Sequence, residues 1–364
     1  MRAAHVLADA SLSLPPDSYI YSILDTNDRA SNLAAISSDD SLRIFSPDTL
    51  QLVSGGTFEK VHRGVTCVRS LNDHGRTLAT AGRDGLVHGW DQRTGQKVFS
   101  LGDGTNSPYL ALDCCPHNTT LAAGTELNNS QATVVIWDYR SPDSPLLQYV
   151  ESHNDDVTEL RYHPAKTAML LSGSTDGLVN LYDTTISVED DALYQIVNHG
   201  ASISHAGFLS ETEIFALSHD EALSIYRLTG SDDGSAETPP RIFGDVRPQL
   251  ECEYVVDLLL TSGQAVLGAG THSAHRLDIV QLNFQQQWAL DEGNAVRLAG
   301  AHGQEIVRSL CIDDKSSTMY TAGEDGLVKA WRTVEDVGPA EQVEITKKKR
   351  KKAVGSKQAR FKPY

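Results

Sequence analysis

The stretch Ala322–Arg332, AGEDGLVKAWR, restates two earlier phrases of the same chain, AGRDGLVHGWD at Ala81–Asp91 and GSTDGLVNLYD at Gly173–Asp183. Asp-Gly-Leu-Val therefore occurs three times in 364 residues. In each phrase an Asp precedes an aromatic by six positions, as Asp84 does Trp90, Asp176 does Tyr182 and Asp325 does Trp331. The same offset joins Asp39 to Phe45 and Asp220 to Tyr226. Trp137, in ATVVIWD, and Val280, in HRLDIVQL, fill the remaining gaps. The column Phe45, Trp90, Trp137, Tyr182, Tyr226, Val280, Trp331 has steps of 45, 47, 45, 44, 54 and 51 residues. A fixed period of this length is the signature of one supersecondary unit copied along the chain, and the column predicts seven copies.

Each copy reads as strands. A small-residue apolar run (LAAIS at Leu33, LATAG at Leu78, MYTAG at Met319) precedes the turn, and a continuous or alternating apolar run such as LVHGW or TVVIW follows it. Asp-Gly supplies a positive φ at low cost, which makes a tight hairpin. The runs of Ala, Gly, Ser and Thr let sheets approach face to face where space narrows. A second column consists of His62, His153, His199 and His302, which stand 22, 23, 21 and 23 residues before a turn Asp. Thr80, Ser172 and Thr321 stand four before theirs.

With these columns the chain resembles the WD-repeat β-propeller family over about residues 1–335. The resemblance implies a hydrogen-bonded set in each blade: His62, Thr80, Asp84 and Trp90; His153, Ser172, Asp176 and Tyr182; His302, Thr321, Asp325 and Trp331. Blades one, five and six depart from the pattern. Asp40 and Glu221 replace the turn Gly, Ala216 replaces the hydroxyl, and the sixth segment has neither turn Asp nor aromatic. The expected fold is all-β, a single seven-bladed propeller over 1–336, with 337–364 as a flexible basic tail. No strand-like run follows Trp331, whereas AAHVLADA (Ala3–Ala10) precedes blade one, so the N-terminal run is expected to complete blade seven and close the ring. TGSDDGSAETPP (Thr229–Pro240) reads as a loop inserted in blade five, and NNSQ near Asn128 as a widened turn in blade three.

Composition narrows the function. No apolar run approaches the ~18 residues of a spanning helix, and the start lacks a secretory pattern, so a soluble intracellular chain is expected. Cys67, Cys114, Cys115, Cys252 and Cys311 are odd in number, contain no C-x-x-C and read as small buried hydrophobes. GAGTHSAH at Gly268 is not followed by a helix pattern, and His272 with His275 lacks a third ligand, so neither a phosphate loop nor a metal site is expected. No catalytic constellation and no cofactor motif appears.

Charge is divided unequally. Lys plus Arg number 31 against 48 Asp plus Glu, yet the nine basic residues after Glu344 face no acid. Lys347, Lys348, Lys349, Arg350, Lys351 and Lys352 resemble a nuclear import signal read by importin; a nucleolar or RNA-binding tail that contacts nucleic acid, or a merely solubilising end, are the other readings. WDQR (Trp90–Arg93) and WDYR (Trp137–Arg140) resemble the paired boxes of WD-repeat substrate receptors that dock on the adaptor of cullin-RING ubiquitin ligases. That resemblance casts Asp91, Arg93, Asp138 and Arg140 as adaptor contacts; the plainer reading has each Arg pairing with a nearby carboxylate to hold a turn. The acidic body suits a basic client, a histone or ribosomal protein, bound on a rim with Arg83, Asp155, Asp156, Thr175, His219 and Glu324. A hydrolase or lyase pocket in the central channel is the enzymatic alternative, favoured by polar groups converging there. The layout, one ring plus a basic tail, resembles the small nuclear WD-repeat proteins, including the WD-repeat protein 89 group. The function expected is a non-enzymatic interaction scaffold in nucleus and cytoplasm, a monomer within a complex.

Overall fold

The computed structural model describes residues 1–26, 31–71, 75–229, 239–261 and 264–333. The basic run Lys347–Lys352, the expected tail and residues 230–238 of the blade-five insertion lie outside the described residues.

Among the described residues, twenty-eight strands form seven four-stranded antiparallel blades. The innermost strands, one per blade, are Ile20–Asp25, Val65–Ser70, Tyr109–Cys114, Val157–Tyr162, Ile203–Phe208, Tyr254–Thr261 and Val307–Asp313. Each pairs with the small-residue run read from the sequence, for instance Val68 opposite Thr80 and Leu310 opposite Thr321. The Asp-Gly turns follow, with Gly85, Gly177 and Gly326 at φ +71°, +87° and +69°. Where the turn lacks Gly, Asp40 and Glu221 take the same left-handed conformation at +61° and +60°. Asp40 recovers part of that cost because its Oδ1 accepts the amides of Gly64 and Val65, both at 3.0 Å, tying blade one to blade two.

A single sheet face cannot remain exposed, and here each is covered by the next blade. Seven apolar clusters occupy the seven seams. One joins Ala34, Ile36 and Ile44 of blade one to Val65, Val68 and Leu78 of blade two. Another joins Tyr320 and Ala322 of blade seven to Ile20, Ile23 and Ala35 of blade one. The column aromatics Phe45, Trp137, Tyr182 and Trp331 are fully buried. Close approach explains Gly89, where an added Cβ would lie 2.2 Å from the Phe99 ring.

The N-terminal strand, Arg2–Ala10, closes the ring. It pairs antiparallel with Val328–Thr333, from Ala4 opposite Thr333 to Ala10 opposite Val328, and so supplies the fourth strand of blade seven. Its first residues also pair in parallel with blade six, Arg2 opposite Val296 and Ala4 opposite Leu298, fusing the two blades into one eight-stranded sheet. The Met1 ammonium donates to the Gly293 carbonyl at 2.8 Å.

Candidate functional site

One face of the ring is built from the turns after each second strand and the loops before each first strand. A repeated backbone bond fixes it: the amides of Arg83, Thr175, His219 and Glu324 donate to the carbonyls of Gly64, Asp156, Ser202 and Ile306 at 2.8 to 3.0 Å. Behind this face lie the histidine sets. In blade two, His62 Nδ1 is 2.9 Å from Asp84 and Nε2 is 2.8 Å from Thr80 Oγ1, which accepts Trp90 Nε1–H at 2.9 Å. A carboxylate only accepts, so the ring proton belongs on Nδ1 and the threonine hydroxyl donates to Nε2. Blade seven repeats the relay through Trp331, Thr321, His302 and Asp325 at 2.9, 2.8 and 2.6 Å. In blade four His153 lies 3.0 Å from Asp176 and 2.7 Å from Ser172, with the Tyr182 hydroxyl 3.4 Å beyond. Burial pushes the Asp176 and Asp325 carboxyls up, but the histidine contact and turn amides outweigh it and hold both below the usual range. Two hydrogen bonds to each buried ring consume the nitrogens that catalysis or a metal would need.

Three blades solve the problem differently. In blade five Ala216 offers no hydroxyl, and His199 turns to the Tyr226 hydroxyl at 3.0 Å and the Ala222 carbonyl at 3.2 Å, leaving Asp220 exposed. In blade one Arg43 substitutes for histidine and donates to Asp39 at 2.9 Å. In blade six Arg297 grips Asp278 with two bonds of 2.8 Å. His88, at the position of Arg43 and Asp278, stacks on His62 with ring planes 9° apart. Burial and His62 push its pKa down to about 4. His62, Asp84 and His88 lie close enough to suggest a metal, but in-plane lone pairs of two parallel rings diverge and cannot meet on one ion.

On this face Arg83 pairs with Glu126 at 3.0 Å, and Arg308 with Glu324 through Nε at 2.8 Å. Asp156 accepts the Leu127 amide at 2.7 Å, and Asp155 caps the Asp156 amide at 2.9 Å. His219 is exposed and Thr175 half-buried. The rim thus mixes structural carboxylates with exposed ones, among them Asp220 and Glu305.

The opposite face carries the W-D-x-R turns. Asp91 Oδ1 accepts the amides of Arg93 and Thr94 at 2.8 and 2.9 Å, and Asp138 accepts that of Arg140 at 3.0 Å. The carboxylates hold the turns through backbone amides. The guanidinium groups stand 3.9 and 3.5 Å away, with side chains 85% and 70% exposed.

The ring axis holds a group that sequence reasoning missed. Arg69, Asp113, Glu159 with Arg161, His205 and Asp257 project from the inner strands of blades two to six. Arg69 lies 3.4 Å from Asp113 and 3.7 Å from Glu159, and Arg161 lies 3.4 Å from Glu159. His205 Nδ1 sits 3.2 Å from Glu159 and 3.7 Å from Asp257. Burial depresses the His205 pKa, but Asp257 and Glu159 outweigh it and raise it to about 9. Burial likewise opposes ionisation of Glu159, yet Arg161 and His205 hold it below its ordinary range. Polar groups therefore do converge in the channel. They are arranged as mutual counter-ions rather than as a nucleophile with its base.

Comparison with known proteins adds the following. The WD domain, G-beta repeat model matches residues 53–91, 144–183 and 294–332. The chain is 36% identical to an uncharacterised WD repeat-containing protein of Saccharomyces cerevisiae, over 76% of this chain and 71% of that protein. It is 28% identical to the WD repeat-containing protein 89 homolog of Dictyostelium discoideum, over 85% and 82%. A shorter match, 30% identical over 30% of this chain and 24% of the other, is to a ribosome biogenesis protein WDR12 homolog of Oryza sativa.

Proposed function

Since the chain belongs to the family of WD-repeat proteins, we propose that it is a non-enzymatic interaction scaffold that works in the nucleus, receiving a basic client during ribosome assembly. The carrying observation is electrical. Residues 1–344 hold 22 basic against 48 acidic side chains, and on the face of the turn Asp residues Arg83 and Arg308 are already paired. Exposed acids there attract a cationic partner and accelerate its encounter. The ribosome-biogenesis relative supports that client class, and the basic run 347–352 supports import of the complex. Membership of a repeat family that presents extended binding surfaces favours binding over catalysis. Affinity purification from nuclear extract is expected to recover ribosomal proteins or histones at 0.1 M salt and to lose them at about 0.5 M. Replacing Asp220 and Glu305 by Lys should slow association several-fold at low salt. Recovery that stays unweakened in high salt, or is indifferent to these changes, rejects the acidic face as the client site.

A second reading has a specific observation behind it. Arg93 and Arg140, in adjacent blades, present exposed planar donor forks on turns that need only their Asp. As ligase-adaptor contacts they predict that Arg93→Ala with Arg140→Ala abolishes adaptor pull-down while leaving the melting temperature within ~1 °C, as surface changes do. Unchanged pull-down removes this reading and leaves the first intact.

A further inference from the structure

The ion pairs on the ring axis leave hydrogen-bond capacity unused. Each guanidinium carries five N–H donors. Among the described residues Arg69 makes one hydrogen bond, from Nη1 to the Val68 carbonyl at 3.0 Å, and its buried Nε has no acceptor. Its carboxylate neighbours, and that of Arg161, stand 3.4 to 3.7 Å away, farther than charged N–H···O bonds normally run. These groups border a cavity of about 190 Å³ lined by the inner strands of all seven blades. The space exceeds one phosphate or sulfate and is too small for a nucleotide.

We propose that this axial cavity is a binding site for a small oxyanion of phosphate or sulfate size, held by the Arg69 and Arg161 guanidinium groups. Two carboxyls, Glu159 and Asp257, line the cavity and a third, Asp113, adjoins Arg69; their engagement decides the balance. Glu159 faces Arg161, His205 and Arg69, and Asp257 faces His205. Asp113 accepts the Tyr162 amide at 2.6 Å and faces Arg69 from blade two and Arg161 from blade four. Burial nevertheless pushes its carboxyl toward the neutral form. Proton uptake by Asp113 on binding would leave Arg69, Arg161 and His205 exceeding Glu159 and Asp257 by one positive charge. An oxyanion offsets that charge and supplies the short acceptors that the side-on carboxylates do not. Arg308, at the channel mouth, is occupied by Glu324. Binding should accordingly take up a proton and tighten as pH falls.

The test titrates inorganic phosphate, sulfate and chloride into the full-length protein at constant ionic strength, reading heat and melting temperature. Phosphate and sulfate are expected to bind saturably and to raise the melting temperature with the logarithm of concentration; chloride should do neither. Arg69→Gln should weaken phosphate binding by about tenfold or more. If that variant fails to fold, Arg69→Lys, which keeps the charge but loses the fork, should show the same weakening. Asp113→Asn should bind sulfate, which does not itself titrate near neutral pH, with a flatter pH dependence. Chloride matching phosphate, or an Arg69 variant binding as tightly as the unaltered chain, would mean that Arg69 holds no oxyanion in the cavity and would overturn the proposal.

Discussion

Deletion of residues 1–10 is expected to lower the melting temperature by ~10 °C or more, the largest effect any segment of this length should have. The strand makes six registered pairs with Val328–Thr333 and three with Val296–Leu298. At about 0.5–1.5 kcal/mol net per hydrogen bond, this ladder alone is worth several kcal/mol. Side-chain loss adds to it, because Ala4 belongs to the cluster containing Trp331, and Leu7, Ala8 and Ala10 pack on the one containing Tyr320 and Ala330. Each kcal/mol moves the midpoint of a domain this large by roughly 1–2 °C. A strand drawn from the opposite chain end also holds the ring shut, so its removal frees blades six and seven to part. Val6→Thr, at an exposed position of the same strand, should change stability by only ~0.5 kcal/mol. Thermal melts of the two variants check both; an unchanged melt after deletion would reject closure by this strand.

The parts of this architecture that announce themselves in the sequence are those that physics forces to repeat. A tight turn wants Asp-Gly, and a seam between blades wants Ala, Ser or Thr with an aromatic at one fixed distance. Those demands recur in every blade and become columns. Blade six is the exception that shows why. It exchanges the buried histidine set for the Asp278–Arg297 pair and lengthens its last two strands to Arg276–Phe284 and Trp288–Ala299, so period and letters vanish together. Likewise Arg43 reaches Asp39 from within its own strand, a solution no spacing reveals. The axial charges were illegible for a different reason. Each blade contributes one or two of them, in different letters, and only ring closure brings them together. A signal was present nonetheless: a charged or imidazole side chain inside five consecutive apolar inner strands, VTCVRS, YLALDC, VTELRY, ISHAGF and YVVDLLLT. A strand buried on both faces rarely carries such a residue without a partner. Five in succession imply partners across the axis.

Those partners make Glu159 the residue whose loss should be costliest after the closing strand. Its carboxylate stands between Arg161, His205 and Arg69 and is almost wholly buried. Glu159→Ala is expected to cost about 3–5 kcal/mol, because removing one partner of a buried charge set strands the others without compensation. Glu159→Gln keeps the volume and one acceptor and should cost less, which separates a packing loss from a charge loss. The pH profile distinguishes them further. His205 rises from 6.5 in the unfolded chain to about 9 in the fold, so its stabilisation is complete below pH 6.5 and drains away as pH climbs toward 9. Glu159 shifts the opposite way, below 4.5, and its stabilisation is held above that value and lost as acid protonates it. Denaturant midpoints of the unaltered protein should therefore decline from pH 6.5 to 9. In Glu159→Gln the decline should shrink, since Asp257 remains as the carboxylate beside His205. A profile equally steep in both proteins would show that the imidazolium is not held by Glu159, and that the axial charges act independently of one another.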